Sequence, residues 1–206
     1  VTRCKDIRVT DADVGRGRPR DPRTHDAIMT ATRRLLTRDG YEQVSMDAIA
    51  KEAGVSRPTV YRRWPSKAHV VFEAAFGEPG DRMPGSDGGI EAEIREFIRG
   101  AVEFWSDEVV QAAALGILAD RARDPALHIR TQQLLDEQTR AAFTALARRG
   151  IDDGVLRPDL GVDTLYELII GTAFYAIQVQ HRTDTADLID QLHALALQGA
   201  MRRDTT

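Results

Sequence analysis

The chain has 206 residues, of which 42% are apolar and 29% charged, so it can bury a hydrophobic core without disulfide or metal staples. One cysteine excludes an intrachain disulfide and favours a reducing, cytoplasmic location, and no uncharged apolar run approaches the roughly 18 residues of a membrane helix. The net charge of −4 combines +5 over residues 1–76 with −9 over residues 77–206, which indicates a polyanionic partner for the basic front end.

Residues 1–20 show no hydrophobic periodicity and are predicted to form a disordered basic arm. The arm ends in Arg16-Gly17-Arg18-Pro19-Arg20, which is similar to the Arg-Gly-Arg-Pro core of AT-hook peptides. Arginine is drawn into narrow A·T minor grooves by their negative potential. We therefore expect Arg16 and Arg18 to add minor-groove contacts, with a merely solvated basic tail as the alternative.

Four helices are predicted over residues 21–76. Asp21 and Pro22 supply an N-cap followed by a proline at the first helical position, and Gly40 ends this helix. Ser45 caps the second helix, Ser56 caps the third helix, which runs to about Trp64, and Ser66 starts the fourth.

The second and third of these helices form a predicted helix-turn-helix. Gly54 lies in the three-residue turn, where it permits a positive φ. The third helix presents Arg57, Thr59, Tyr61, Arg62 and Arg63 outward, with no acidic residue among them. A basic helix of this kind suits insertion into the major groove of DNA.

Residues 77–89 are too rich in glycine and proline for regular structure, and we expect them to be a connector. The remaining residues, 90–206, have helical periodicity throughout. The predicted helices of this body span about 90–105, 106–123, 124–149, 162–181 and 186–202. The fold class is therefore all-α, with three segments after the arm: 21–76, 77–89 and 90–206.

Residues 21–76 contain three motifs: Ala48-Ile49-Ala50-x-x-Ala53-Gly54-Val55-Ser56, then Thr59-Val60-Tyr61-x-x-Trp64, and then Ser66-Lys67. Through these motifs the segment resembles the DNA-binding domain of the TetR/AcrR family of bacterial transcriptional regulators. The resemblance implies an N-terminal three-helix helix-turn-helix DNA-binding domain joined to a larger helical ligand-binding and dimerisation domain. The body resembles the family more loosely, by its helix count, its length and the stretch Gly171-Thr172-Ala173-Phe174-Tyr175.

The resemblance implies roles at a double-stranded DNA operator. Arg57 and Arg62 would reach base edges or nearby phosphates, and Thr59, Tyr61 and Lys67 would contact phosphates. Ser45 would cap its helix and offer its hydroxyl to a phosphate, whereas Trp64 would anchor the core. The complete set of expected DNA-binding residues is Arg16, Arg18, Arg20, Ser45, Ser56, Arg57, Thr59, Tyr61, Arg62 and Lys67.

The body is expected to dimerise and to bind an effector. The last two helices are apolar on more than one face, and the resemblance implies that they pair with their copies in a homodimer. It also implies a pocket for a small-molecule effector, whose identity the sequence does not give. The candidate lining residues, with a plain hydrophobic core as the alternative, are Phe97, Phe104, Trp105, Leu118, Phe143, Tyr166, Phe174, Tyr175 and Gln178. Trp105, Tyr175 and Gln178 are the strongest candidates because each combines apolar bulk with a polar group.

The function predicted is a ligand-responsive DNA-binding regulator, most simply a repressor that binds a palindromic operator as a dimer and is released by its effector. The alternative is a helical small-molecule-binding or enzymatic domain without operator binding. No Walker loop, dinucleotide fingerprint or His-Glu-x-x-His motif is present. We therefore expect no catalytic residues, no cofactor, no metal site and no membrane partner.

Overall fold

The computed structural model describes residues 22–77 and 88–200, which are helical and contain no strand. The predicted arm and most of the connector lie outside these ranges. The helices are α1 (Pro22–Asp39), α2 (Met46–Glu52), α3 (Arg57–Tyr61), α4 (Lys67–Phe76), α5 (Gly89–Ser106), α6 (Glu108–Arg121), α7 (Pro125–Gln132), α8 (Gln138–Asp152), α9 (Val162–Phe174) and α10 (Thr185–Ala200). This arrangement confirms the all-α prediction, with a helix-turn-helix ahead of a larger helical body.

The turns of the first four helices follow from local chemistry. Gly40, at φ 77°, ends α1, and Gly54, at φ 66°, makes the turn between α2 and α3; both angles favour glycine because a Cβ atom crowds the backbone there. Ser45 caps α2, since its side chain accepts a hydrogen bond from the backbone nitrogen of Ala48 at 3.1 Å. The predicted turn and this cap are both present.

Two local predictions differ from the structure. The regular helix α3 ends at Tyr61 rather than near Trp64, and Arg63 N and Trp64 N both donate to the carbonyl of Val60, at 3.0 and 3.1 Å, in a tight final turn. Ser56 occupies the N-cap position but its side chain makes no capping bond. Its hydroxyl lies instead 2.8 Å from the hydroxyl of Thr59, which takes the place of the backbone partner.

The body helices contain two π-helical segments that the sequence did not indicate. Residues 133–137 join α7 to α8, and residues 175–179 extend α9. Asp124 and Pro125 start α7 as predicted, because the Asp124 carboxylate accepts from Ala126 N at 3.0 Å and Leu127 N at 3.1 Å. The single predicted helix from 124 to 149 is therefore three consecutive segments that end at Asp152.

Two hydrophobic clusters hold the described residues together. One cluster lies within the body and joins α5, α8, α9 and α10 around Phe97, Phe143 and Tyr166. The other contains the cores of α1 to α4 and also Val110, Ala113, Ala114 and Ile117 of α6, with Leu127 of α7. Helices α1 and α4 thus pack directly against α6. A movement of α6 therefore acts on the same core that contains Val60 and supports α3.

Among the described residues, no helix is both long enough and apolar enough to cross a membrane.

Candidate nucleic-acid interface

Helix α3 is held from below by a buried residue and leaves its polar side chains at the surface. Val60 is fully buried in the first cluster. Arg57 and Arg62 are exposed, Thr59 is half-buried, and Tyr61 keeps 43% of its surface accessible. Arg57, Tyr61 and Arg62 therefore lie at the surface, as predicted.

Arg57 is paired with an acidic residue of the neighbouring helix. Its Nε lies 2.7 Å from Oδ1 of Asp47, which belongs to the first turn of α2. Its guanidinium also donates to the hydroxyl of Tyr61 at 3.3 Å and lies 5.3 Å from the centroid of that ring. The sequence of α3 contains no acid and gave no indication of Asp47, because the contact joins two different helices.

Lys67 is held by Tyr41, a residue of the loop between α1 and α2. Its Nζ donates to the carbonyl oxygen of Tyr41 at 3.0 Å and lies 4.2 Å from the centroid of the Tyr41 ring. Such a cation over an aromatic face gains from the negative potential of the ring. Lys67 is half-buried at the start of α4, so these two contacts with Tyr41 give its ammonium group a defined position.

Tyr41 in turn contacts the body. Its hydroxyl donates to the carboxylate of Asp120 in α6, and its side chain is only 7% exposed. Burial, followed by the bond to Asp120, raises the pKa of the Tyr41 phenol far above its usual value. The phenol therefore remains a proton donor, and the basic surface is connected to α6 through one aromatic residue.

Trp64 forms a second connection between α3 and the body. Its indole is buried, at 3% exposure, and its Nε1 donates to Oε2 of Glu73 at 2.9 Å. The same oxygen accepts from Arg130 of α7 at 2.8 Å, and Oε1 lies 3.7 Å from Nε2 of His25. The predicted structural role of Trp64 agrees with this environment, whereas no sequence pattern indicated Glu73 or Arg130.

The remaining predicted DNA-binding residues fall into two groups. Ser45 and Ser56 lie exposed at the starts of α2 and α3, on the segments that form the helix-turn-helix. Arg16, Arg18 and Arg20 lie outside the described residues, so their minor-groove contact stays a prediction.

Three of the nine predicted effector-binding residues form a packed aromatic group in the body. The ring centroids of Phe97 and Phe143 lie 4.7 Å apart, and those of Phe143 and Tyr166 lie 5.9 Å apart. Phe143 is fully buried, and Tyr166 and Phe97 are 2% and 5% exposed. Burial and the nearby Asp136 raise the pKa of Tyr166. These three rings fill the centre of the body.

A second group lies nearer to α6. Trp105 meets Phe104 and Phe174 edge-on, with centroid distances of 4.9 and 5.0 Å. Gln178, in the π-helical segment after α9, is 4% exposed, and its Nε2 donates to the carbonyl of Trp105 at 3.0 Å. The structure thus brings Trp105, Phe174 and Gln178 together. Leu118 and Tyr175 lie at the surface, at 37% and 54% exposure.

None of the nine residues lines either of two surface grooves that the described residues form. A groove of 410 Å³ runs along α8 beside Arg140 and Arg148. A groove of 520 Å³ lies where α1, α4 and α7 meet, beside Arg33, Glu73 and Arg130. In the part of the chain that the structure describes, no three His, Cys, Asp or Glu side chains are grouped to hold a metal ion.

The last two helices of the body carry exposed apolar side chains. Leu168 of α9, Tyr175 and Val179 of the following segment, and Leu195 of α10 are 46%, 54%, 48% and 64% exposed. Gly171 lies between Leu168 and Tyr175 at helical spacing, and a Cβ atom there would meet nothing within 4 Å. We name these five residues the α9–α10 face. Large apolar side chains at helical spacing usually mark a contact surface when they are exposed together.

Comparison with known proteins gives matches over both parts of the chain. Residues 28–74 match the model of bacterial regulatory proteins of the tetR family, and residues 85–196 match that of the tetracyclin repressor-like C-terminal domain. The HTH-type transcriptional regulator YdeS of Bacillus subtilis is 30% identical over 172 residues, which are 80% of this chain and 83% of YdeS.

Two solved structures share the fold. FadR of Bacillus subtilis, in complex with stearoyl-CoA, has a TM-score of 0.68 at 18% identity and is matched over 85% of this chain and 98% of its own. A transcriptional regulator of Saccharomonospora viridis, in complex with choline, has a TM-score of 0.67 at 20% identity and is matched over 89% of this chain and 100% of its own.

Proposed function

The chain belongs to the tetR family of bacterial regulatory proteins, and from this premise we propose that it is a repressor that binds a palindromic operator as a homodimer and is released by a small-molecule effector. The observation that carries the proposal is α3, which exposes Arg57, Tyr61 and Arg62 above a buried Val60. Arginine can contact guanine O6 and N7 through two hydrogen bonds. The family membership makes the protein a helix-turn-helix transcriptional regulator; the operator, the dimer and the effector belong to the proposal.

The roles at the operator follow from position. Arg57 and Arg62 would read base edges from α3, while Thr59, Tyr61 and Lys67 would contact phosphates and fix the register. Ser45 and Ser56, at the starts of α2 and α3, would add contacts through their hydroxyl groups. To contact DNA, Arg57 must break its ion pair with Asp47. This costs little free energy because both side chains are more than half exposed.

The α9–α10 face supports the dimer. A two-fold interface uses the same patch on both subunits, and Leu168, Gly171 and Tyr175 follow one another at intervals of three and four residues along one side of the helix. Gly171 leaves room for a close helix approach. Two α3 helices related by such an axis would read half-sites about 34 Å apart, one turn of DNA.

The effector would bind beside Trp105, Phe174 and Gln178. Single π-helical turns often occur at functional sites, and the one at residues 175–179 places the Gln178 amide inside the body against the carbonyl of Trp105. A polar group surrounded by aromatic rings can orient a largely apolar ligand. The ligands of the two structural neighbours, stearoyl-CoA and choline, are chemically unlike, so neither indicates this effector.

The test begins with a selection from random DNA duplexes by the full-length protein, followed by fluorescence-anisotropy titrations of an enriched duplex. Sequence-specific binding that weakens as salt increases supports the proposal. Arg57→Ala and Arg62→Ala should lower the affinity by at least tenfold, about the value of one bidentate base contact. Arg148→Ala, on the exposed surface of α8, is the matched control and should leave affinity unchanged.

Enrichment of no sequence would overturn the proposal and favour the alternative, a helical ligand-binding domain. If a duplex is enriched, a small-molecule library can be screened for release of the bound protein. Compounds that release the wild type but not Gln178→Leu would support the effector site, whereas release of both to the same extent would contradict it.

A further inference from the structure

Tyr41 sits in a socket formed by α6. The glycine at position 116 faces the ring so closely that a Cβ atom there would overlap Cδ1, Cγ and Cε1 of Tyr41. One turn further along α6, Asp120 accepts the hydrogen bond from the phenol. The ring is therefore fixed at its side and at its tip by the same helix, and α6 cannot shift past it without moving it.

Tyr41 also holds Lys67 at two points. The Tyr41 carbonyl accepts from Nζ at 3.0 Å, and the ring face lies 4.2 Å from the same nitrogen. An ammonium group has three donors, and the Tyr41 carbonyl uses one of them. The ammonium group can therefore still donate to a phosphate. Because the Lys67 side chain is already ordered, DNA binding would cost less conformational entropy at this position.

We propose that Tyr41 is a positioning residue that sets Lys67 for its phosphate contact according to the position of α6. The inference rests on the proposed function, because it assigns a control element to the same DNA-binding surface. When Gly116 and Asp120 of α6 hold Tyr41 in this position, Lys67 is placed for its phosphate contact. A displacement of Gly116 and Asp120 moves the ring and the carbonyl together, and Lys67 moves with them.

The contacts rule against two simpler arrangements. If Lys67 were only a solvated lysine, its nitrogen would not be held by a carbonyl and a ring of one residue. If Tyr41 were only a core residue, a phenylalanine would fill the same space; the phenol instead ties the ring to a carboxylate of α6. Packed elements of this kind move between discrete arrangements rather than deforming continuously. A shift of α6 would therefore displace the Tyr41 ring as a unit and, with it, Lys67.

The test is a double-mutant cycle on operator affinity, with the duplex selected by the wild type. Tyr41→Phe removes the bond to Asp120 and keeps the ring and the carbonyl, while Lys67→Met removes the charge and keeps the stem. Lys67→Met alone should lower the salt slope by about one, the value of one phosphate contact. Tyr41→Phe should weaken binding about two- to fivefold in the wild-type background and have no effect beside Lys67→Met.

A purely structural role for Tyr41 would give a different result. In that case Tyr41→Phe would lower affinity by the same factor with and without Lys67, and this equality would overturn the inference. Full wild-type affinity of Tyr41→Phe would overturn it as well. If Tyr41→Phe fails to fold, Asp120→Ala provides the same comparison with the ring in place, and Asp120→Asn, which keeps an acceptor, should bind like the wild type.

The outcome also separates the inference from the function on which it rests. If the wild type enriches no duplex, both fail together. If it enriches a duplex and the cycle shows no coupling, the operator-binding function stands and the role of Tyr41 is wrong.

Discussion

The indole nitrogen of Trp64 donates to the carboxylate of Glu73 across 2.9 Å, and this bond ties the turn after α3 to α4. The oxygen that accepts it also accepts from Arg130 of α7. One carboxylate therefore connects the DNA-binding segment to the body. It does so at a place where the donor indole is shielded from water.

Replacing Glu73 tests how much this connection stabilises the protein. Glu73→Ala leaves the buried Trp64 nitrogen without a partner, and we expect a loss of about 1–3 kcal/mol in the free energy of unfolding. Arg130→Met removes a partly exposed ion pair and a cation that lies 5.7 Å from the centroid of the Phe72 ring, and it should cost less than Glu73→Ala, about 1 kcal/mol. Urea unfolding of both variants checks this, and equal losses would contradict the assignment of the larger share to Trp64.

Asp47 is expected to oppose DNA binding. It holds Arg57 at 2.7 Å and adds a negative charge beside the proposed phosphate path. Asp47→Asn should therefore tighten operator binding and steepen its salt dependence by about one unit, because Arg57 no longer has to leave an ion pair and one negative charge fewer opposes the DNA phosphates. Fluorescence-anisotropy titrations at salt concentrations from about 50 to about 200 mM measure the operator affinity and its salt slope, because a difference of one unit in slope is readily resolved over this range. Asp153→Asn, on the exposed end of α8, is the control, and a slope that stays the same in both variants would refute the expectation.

The α9–α10 face predicts a monomeric variant. Leu168→Glu combined with Leu195→Glu places two charges on each copy of the proposed interface, where they would be desolvated and would repel their counterparts. Light scattering after size exclusion should show a dimer for the wild type and a monomer for the double variant. Ile129→Glu, at 56% exposure on α7, is equally exposed elsewhere and should remain dimeric. A monomeric wild type at micromolar concentration would rule the dimer out.

The raised pKa of Tyr41 predicts a loss of stability in alkali. The unfolded chain releases the phenol proton above pH of about 10, while the folded chain retains it, because burial and Asp120 raise the pKa. The stabilisation is thus complete below pH of about 10 and declines above it, by at most about 1.4 kcal/mol per pH unit. Tyr41→Phe should lack this component.

Urea unfolding of the wild type and of Tyr41→Phe between pH 9 and 11 measures the difference. Tyr61→Phe, which alters a ring that is 43% exposed and lies outside the proposed dimer face, should retain the full alkaline decline of the wild type. A decline of the same steepness in Tyr41→Phe would show that Tyr41 does not carry the effect.

Local signals in the sequence predicted much of the fold. Asp124 with Pro125 indicated the start of α7, and Gly54 indicated the turn between α2 and α3, since each acts on its own neighbours. The π-helical segments escaped detection because one extra residue per turn hardly alters the apolar periodicity. The face of α3 was likewise predictable, since its exposed residues alternate with the buried Val60.

Contacts between distant segments could not be predicted in the same way. Tyr41 and Asp120 are separated by 79 positions, and the pairing of Arg57 with Asp47 depends on how α2 crosses α3. Neither leaves a periodic trace in the chain. The apolar pattern of the last two helices indicated burial, but only the structure separates the side chains that pack within the subunit, such as Leu192, from those at the surface, such as Leu195.

The shared core of α1 to α4 with α6 limits how such proteins can be recombined. A chimaera that takes residues 22–77 from one regulator and the body from another sets Ile117 and its neighbours against a foreign surface. It also places Tyr41 opposite whatever residue stands in place of Gly116, where any side chain would collide with the ring. A functional chimaera must therefore include the residues of α6 that contact the DNA-binding domain. The set of residues to be transferred together is thus not continuous in the sequence.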